Sequence, residues 1–278
     1  MFRVSVYLDG TCVAYKEANV IVSNLEQSKR KAKETDVLII GDSITANGIM
    51  IEELDRNCKR NNLKINFIGT QGDKVYHEGR SGWTIEKYLT DSESPFIFDK
   101  ELNFKEYIRR NGLKSPDYVI LNLGINDVFG EKNDILLQEK VEQFYNNYMK
   151  LIEDIKNYDE DITIGISIPI PPANSESSFG KAYQWQTQWR YKKNNLYLSS
   201  MLINRFESKK RIHIIPIYLG IDTEYNMGME KRPVNSKSNI IMQEVPANGS
   251  VHPDESGYGQ IADEYLAWLI YMQSYNNS

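Results

Sequence analysis

Short, almost uninterrupted apolar runs return five times along this chain, and that recurrence restricts its fold more than any other feature. VLIIGDS from residue 37, KINFIGT (64–70), YVILNLG (118–124), ITIGISIPI (162–170) and IHIIPIYL (212–219) share this character. Strands apolar on both faces need cover on both faces, which is the condition of a parallel sheet between helical layers. The stretches between them have helical spacing. In DILLQEKVEQFYNNYMKLIEDIKNYD, Leu136, Val141, Phe144, Tyr148, Leu151 and Ile155 fall close to a 3.6-residue period. Ile261, Tyr265, Trp268 and Leu269 share a second stripe near the C-terminus. This alternation predicts an α/β fold, a three-layer sandwich around a five-stranded parallel sheet with right-handed crossovers.

The N-terminal region has a different character. FRVSVYL and TCVAYKEANVIV alternate around Asp9-Gly10, a pair suited to the positive φ angles of a type I′ turn, so a β-hairpin is expected there. Residues 1–30 are read as a hairpin extension with its linker, and residues 31–278 as the main domain. A formal charge of -5 argues against a nucleic-acid scaffold, which wants a basic face. Cys12 and Cys58 make neither a disulfide framework nor a metal-ligand spacing, and no metal or organic cofactor is expected for the serine chemistry considered below. No stretch reaches the length of a membrane span, and MFRVSVYLDG lacks the basic-then-apolar order of a signal peptide. The expectation is a soluble protein, cytoplasmic, or extracellular, cell-surface or virion-associated if a leader or larger chain has been removed. Its oligomeric state is not legible.

Two segments, PPANSESSFGKA (171–182) and residues 220–250, show neither helical nor strand period and read as loops that follow strands. In open α/β sheets, ligands bind beyond the carboxyl ends of the strands, so both loops should frame the site. Gly41-Asp42-Ser43 ends the first core strand there. A serine at that place, just ahead of a helix opening near Asn47, presents its hydroxyl to the crevice beside backbone N–H groups. A serine nucleophile still needs a base and donors for an oxyanion. The chain has three histidines, His77, His213 and His252, and His252 sits in a loop just before the last helix. Gly82 in EGRSGWT and Asn126 in LGIND are candidate oxyanion donors on neighbouring strand edges.

Four segments together resemble the SGNH (GDSL-type) hydrolase family. VLIIGDSIT is similar to its first block, RSGWT to its glycine block, LGIND to its Gly-x-Asn-Asp block and VHPDESGYGQIA to its histidine block, all in the family's order. The resemblance implies a flavodoxin-like sandwich with Ser43 as nucleophile and His252 as base. It also implies an oxyanion hole of the Ser43 and Gly82 N–H groups with the Asn126 amide. One departure stands out: the family's aspartate three residues before the histidine is Gly249 here. Asn248, Asp254 or a backbone carbonyl would then orient the imidazole, giving a Ser–His dyad or a triad with a displaced third member.

Each of these residues also has a plainer role open to it. Ser43 suits a helix N-cap, Asn126 and Asp127 suit caps, Gly82 suits a turn, and Asp42 suits a hydrogen bond within its own turn. His213 opens a buried strand and reads as structural. Trp83 and Arg80 flank Gly82 and are candidate pocket residues, with an Arg80–Glu78 salt bridge the default for the arginine. Tyr183 and Trp185 are further pocket candidates, although Trp185 and Trp189, four apart on an expected helix, also suit a core pair. The expected substrate is an acylated small molecule or glycan, with an O-acetyl carbohydrate favoured because no exposed apolar stretch suggests binding to a lipid interface. The rival reading is a weakly active or non-catalytic carbohydrate-binding module on the same fold, part of a cell-surface or phage tail assembly.

Overall fold

The computed structural model of the chain describes residues 1–26, 28, 33–175, 179, 186–238, 240–246 and 251–275. Strands β1 (Phe2–Leu8) and β2 (Thr11–Ala18) form the antiparallel N-terminal hairpin, with Asp9 and Gly10 at φ 47° and 80° in its turn. Its side chains are nearly all exposed. The main sheet uses β3 (Thr35–Gly41), β4 (Ile65–Ile68), β5 (Glu78–Gly79), β8 (Tyr118–Asn122), β9 (Thr163–Ser167) and β10 (Ile212–Ile215). Between β5 and β8 lies a small hairpin of β6 (Ile97–Phe98) and β7 (Glu101–Leu102). The order is β10-β9-β8-β3-β4, all parallel, and the two-residue β5 pairs with β3 beyond the end of β4. The five expected strands are therefore present, although β4, β8, β9 and β10 are shorter than their apolar runs. The last run divides at Pro216, after which Ile217–Gly220 turns helical.

Burial explains the composition of these strands. Every residue of β3, β8 and β9 is buried because helices cover the sheet. Helices Ile49–Arg60 and Glu255–Tyr275 pack against each other, tied by Asn57 Nδ2 donating to Asp263 at 3.2 Å. Trp268 of the latter helix lies edge-to-face on Tyr118 at 5.3 Å. A second group comprises Ile85–Thr90, Phe104–Arg110, Asp134–Tyr158 and Gln188–Phe206. On the long helix Asp134–Tyr158 the buried stripe is Leu137, Val141, Phe144, Tyr148, Leu151 and Ile155, whereas Leu136 is exposed. Leu137 continues the three-and-four spacing of that stripe, which Leu136 would break by one position.

The segment 220–250, expected to be irregular, holds a hairpin of β11 (Met229–Pro233) and β12 (Met242–Pro246). Its strands are short, rich in charge and bounded by prolines, so they carry no buried-strand pattern. Trp189 is 69 % exposed at the start of Gln188–Phe206, so it is not a core residue. Tyr183, Trp185, Asn248 and Gly249 lie outside the described residues. No described helix is long and apolar enough to cross a membrane.

Strand order reverses at β3: the chain runs from β3 outward to β4, then returns to the other side of β3 with β8. The crevice outside the carboxyl ends of β3 and β8 is thus the place where an open parallel sheet holds ligands.

Candidate active site

Ser43 is delivered to that crevice by a tight turn. Gly41 has no room for a side chain, since a Cβ there would lie 2.1 Å from Thr45 Oγ1 and 3.0 Å from the Asn122 carbonyl. Asp42 caps the four-residue helix Ser43–Ala46, its Oδ1 accepting from Ile44 N at 3.0 Å. The Asp42 N–H bonds the Asn122 carbonyl at 3.3 Å, and Asn122 Nδ2 donates to Thr45 Oγ1 at 3.1 Å. Both bonds lock the turn to the end of β8. A four-residue helix therefore opens at Ser43 itself, ahead of the longer helix Ile49–Arg60 that begins near Asn47 as expected, and Ser43 remains half-buried.

His252 reaches the same point from the other end of the chain. Its Nε2 lies 2.8 Å from Ser43 Oγ, across 209 positions of sequence. Pro253 pairs with Met227, and Asp254 N–H bonds the Asn226 carbonyl at 3.1 Å, so the histidine loop is pinned beside the root of the β11–β12 hairpin. Asp254 also serves the last helix, with Oδ1 accepting from Gly257 N at 2.9 Å.

Two further loops close on the crevice. Gly82 occupies a turn in which Trp83 N–H bonds the Arg80 carbonyl at 3.2 Å. Its φ of 74° is a left-handed conformation that a side chain would strain. Arg80 N–H bonds the Gly41 carbonyl at 2.9 Å, fixing this turn to the end of β3. Asn126 lies in the short helix Ile125–Phe129 after β8, and its Nδ2 donates one hydrogen to the Trp83 carbonyl at 3.0 Å. An amide has two such hydrogens, so one is left for a ligand. Asp127 Oδ1 accepts from Ile85 N at 3.1 Å. These two bonds tie the Asn126 loop to the Gly82 loop on its C-terminal side.

Tyr88, to which no sequence pattern pointed, adds a third tie. Its hydroxyl shares its proton between the Gly41 carbonyl, at 2.8 Å, and the Glu78 carbonyl. Trp83 is half-buried and packs edge-to-face on Tyr88 at 4.9 Å. The Arg80 guanidinium lies 5.2 Å from the Trp83 ring while Nη2 pairs with Glu78 at 3.1 Å. That is the default salt bridge expected of Arg80.

Behind the crevice sit two buried carboxyl groups. Burial pushes Asp42 up to about 7 against the lowering effect of the Ile44 N–H bond. Burial raises Asp127 to about 7 as well; the Ile85 bond opposes this, the Asp42 charge adds to it, and Lys140 lowers it. Neither Oδ2 atom has a hydrogen-bond partner among the described residues. Near neutral pH both groups hold much of their protons, which limits the negative charge buried behind the crevice.

A stability prediction follows from these raised values. Between about pH 4 and 7 the folded state retains protons that the unfolded chain has released, so stability falls as pH rises through that window and levels off above it. Asp42→Asn keeps the cap without the titration. Denaturant unfolding at pH 5 and pH 8 should therefore show a smaller loss in the variant, by roughly 2–4 kcal/mol. An unchanged difference between the two pH values would remove Asp42 from this role.

The described residues include no group of three or more His, Cys, Asp or Glu side chains placed to hold a metal ion. His213 packs against Trp268 and Tyr271. His77 is buried beside Arg80.

An α/β sheet with a serine at the end of its first core strand, facing a histidine from the last loop, defines a hydrolase-type architecture. The profile of the GDSL-like Lipase/Acylhydrolase family matches residues 39–260, and the chain belongs to that family. No curated protein sequence matches it. Among solved structures it is similar to a Clostridium thermocellum family 3 carbohydrate esterase, at 20 % identity and TM-score 0.53, covering 87 % of this chain and 98 % of the other. It is also similar to a carbohydrate esterase family 3 structure from Talaromyces cellulolyticus, at 16 % identity and TM-score 0.52, covering 86 % and 98 %. A structure described as a putative platelet activating factor from Streptococcus pneumonia aligns at 13 % identity and TM-score 0.52, covering 88 % and 90 %. At these identities the likeness is one of fold.

Proposed function

We propose that this esterase-family chain is a serine hydrolase that cleaves small O-acyl esters, chiefly O-acetyl groups on carbohydrate. The observation that carries the reading is the 2.8 Å approach of His252 Nε2 to Ser43 Oγ. That distance is the hydrogen-bond reach a nucleophile needs to its base. In this reading Ser43 Oγ attacks the ester carbonyl carbon as His252 Nε2 takes its proton. The carbonyl oxygen becomes an oxyanion held by the Ser43 and Gly82 N–H groups and by the free hydrogen of the Asn126 amide. Collapse breaks the C–O bond, and His252 returns the proton to the departing alcohol. Water then attacks the acyl-enzyme with His252 again as base, releasing the acid and restoring Ser43.

His252 and Ser43 work as a dyad, or as a triad completed by Asn248 or Asp254. The capping bond of Asp254 occupies one of its carboxylate oxygens, so the other is available for such a role. The polar surroundings of Gly82 and the carbohydrate esterases of similar fold support a sugar ester.

One observation favours longer acyl chains. Ile240 and Ile241 are 93 % and 62 % exposed in the hairpin rooted beside His252, where the sequence suggested no exposed apolar stretch. A chain-length series separates the two. With p-nitrophenyl acetate, butyrate and octanoate, kcat/KM should fall as the chain lengthens; a rise toward octanoate would move the substrate to lipids. A serine-directed phosphonate should label Ser43 stoichiometrically. An inert Ser43 together with no ester hydrolysis would leave the non-catalytic binding module as the better reading.

A further inference from the structure

Beside the crevice lies a cavity of about 510 Å³, a volume ordinary for a small-molecule site. Its wall includes Ser81 and Trp83, the neighbours of Gly82 on either side, and Ala46 to Gly48, which continue from the helix begun by Ser43. Three observations fix what chemistry it offers. First, His77 is only 3 % exposed yet lines the cavity. Its Nδ1 accepts from Gly79 N at 2.9 Å, so the neutral ring carries its hydrogen on Nε2. Burial and the Arg80 charge both push the His77 pKa down, keeping the ring neutral.

Second, the loop that carries this ring is built to lie over it. The Gln71 and His77 backbones exchange bonds of 2.9 and 3.0 Å. Gly72, at φ 92°, would place any Cβ 3.3 Å from His77 Nε2 and Cδ2. Among the described residues no group accepts a hydrogen bond from that Nε2, so the donor is left for whatever enters the cavity.

Third, the charge on the wall that is left without an ion pair among the described residues is negative. Arg80 is paired with the fully buried Glu78, and Glu52 is answered by Lys74 at 3.7 Å and Arg56 at 4.0 Å. Asp73 and Glu93 also line the cavity, and neither has an ion pair among the described residues. A ligand group here must accept from an N–H and donate to carboxylates. Anions accept but are repelled, ammonium groups donate but cannot accept, and a hydroxyl does both.

We infer that this cavity binds the alcohol half of the ester as an uncharged, hydroxyl-rich sugar ring, with His77 Nε2–H as the donor that selects it and Asp73 and Glu93 excluding acidic sugars. The inference rests on the esterase reading above for its link to turnover, and it names the substrate class of that same site.

The test sets variants at His77, Asp73 and Glu93 against neutral and charged acetate esters. His77→Asn keeps an acceptor near the Nδ1 position for Gly79 but removes the outer N–H. His77→Gln restores a donor near the Nε2 position. For an acetylated neutral sugar, His77→Asn should raise KM about tenfold, the scale of one lost hydrogen bond, and His77→Gln should recover part of it. With p-nitrophenyl acetate, which has no hydroxyl to offer, His77→Asn should lose clearly less than it loses with the sugar ester. Wild type should prefer the neutral sugar acetate over an acetylated uronic acid. Asp73→Asn combined with Glu93→Gln should narrow the gap to the uronic acid.

Binding of the free neutral sugar, followed by saturation-transfer NMR, tests the cavity without turnover and should weaken in His77→Asn. If wild type hydrolyses p-nitrophenyl acetate but treats neutral and acidic sugar esters alike, and His77→Asn alters neither KM nor sugar binding, the inference is overturned. Absent hydrolysis and phosphonate labelling with His77-dependent sugar binding intact would instead sink the esterase reading and leave the cavity assignment standing.

Discussion

Ser43→Ala should lower kcat on a chromogenic acetate ester by about 10⁴-fold or more, and His252→Ala should do nearly the same. In the proposed mechanism the two side chains act as a unit, because the hydroxyl is a poor nucleophile until a base takes its proton, and Nε2 lies 2.8 Å away. The double variant should consequently be no slower than the worse of the two single ones, as expected when one intact member achieves little alone. The fold should be unaffected. Ser43 is half-buried, and the turn that holds it is fixed by Asp42, Thr45 and Asn122 rather than by its hydroxyl. Matching thermal melts for wild type and both variants would exclude unfolding as the cause. Rapid hydrolysis by Ser43→Ala, with the acyl group never attached to residue 43, would remove the nucleophile from this account.

Asn126→Ala carries the second large effect, a loss of about 10²–10³ in kcat with KM nearly unchanged. That is the scale for deleting one donor to an oxyanion that exists only in the transition state. Asn126 has a second task, since its amide also bonds the Trp83 carbonyl at 3.0 Å. Loss of that tether could loosen the Gly82 turn without any direct effect on charge. Asn126→Asp separates the two causes: the side chain keeps its size, but an anionic acceptor replaces the donor. Its rate should fall below that of Asn126→Ala, because the carboxylate repels the developing negative charge. An Asp variant as fast as wild type would show that packing, and not hydrogen-bond donation, is what residue 126 supplies.

The parts of the fold legible beforehand share one physical property. β3, β8 and β9 are buried on both faces, so solvent exclusion leaves an almost continuous apolar record in the chain. The N-terminal hairpin was legible for another reason: Asp9 and Gly10 adopt positive φ angles that few dipeptides favour. Elements without such a demand escaped notice. β5 has two residues, too few to show a period. The β11–β12 hairpin exposes one edge of its pattern and mixes charges with prolines, so it read as irregular. A shift of one position along the long helix exchanged Leu136 for Leu137, because both are leucine and only packing distinguishes them.

The chain by itself determined the layered α/β arrangement, the turn after β3 and the identity of the few polar residues proposed for ester chemistry, since backbone sterics and burial act locally enough to be written in short segments. Tertiary structure alone decided that residues 209 positions apart meet within 2.8 Å. It also decided that Tyr88 and Asp127 cross-tie the loops around Gly82, and that two aspartates are shut away from water with raised pKa values near 7. Those features depend on which surfaces pack together. Distance and dielectric are properties of the assembled molecule, and no short stretch of chain contains them.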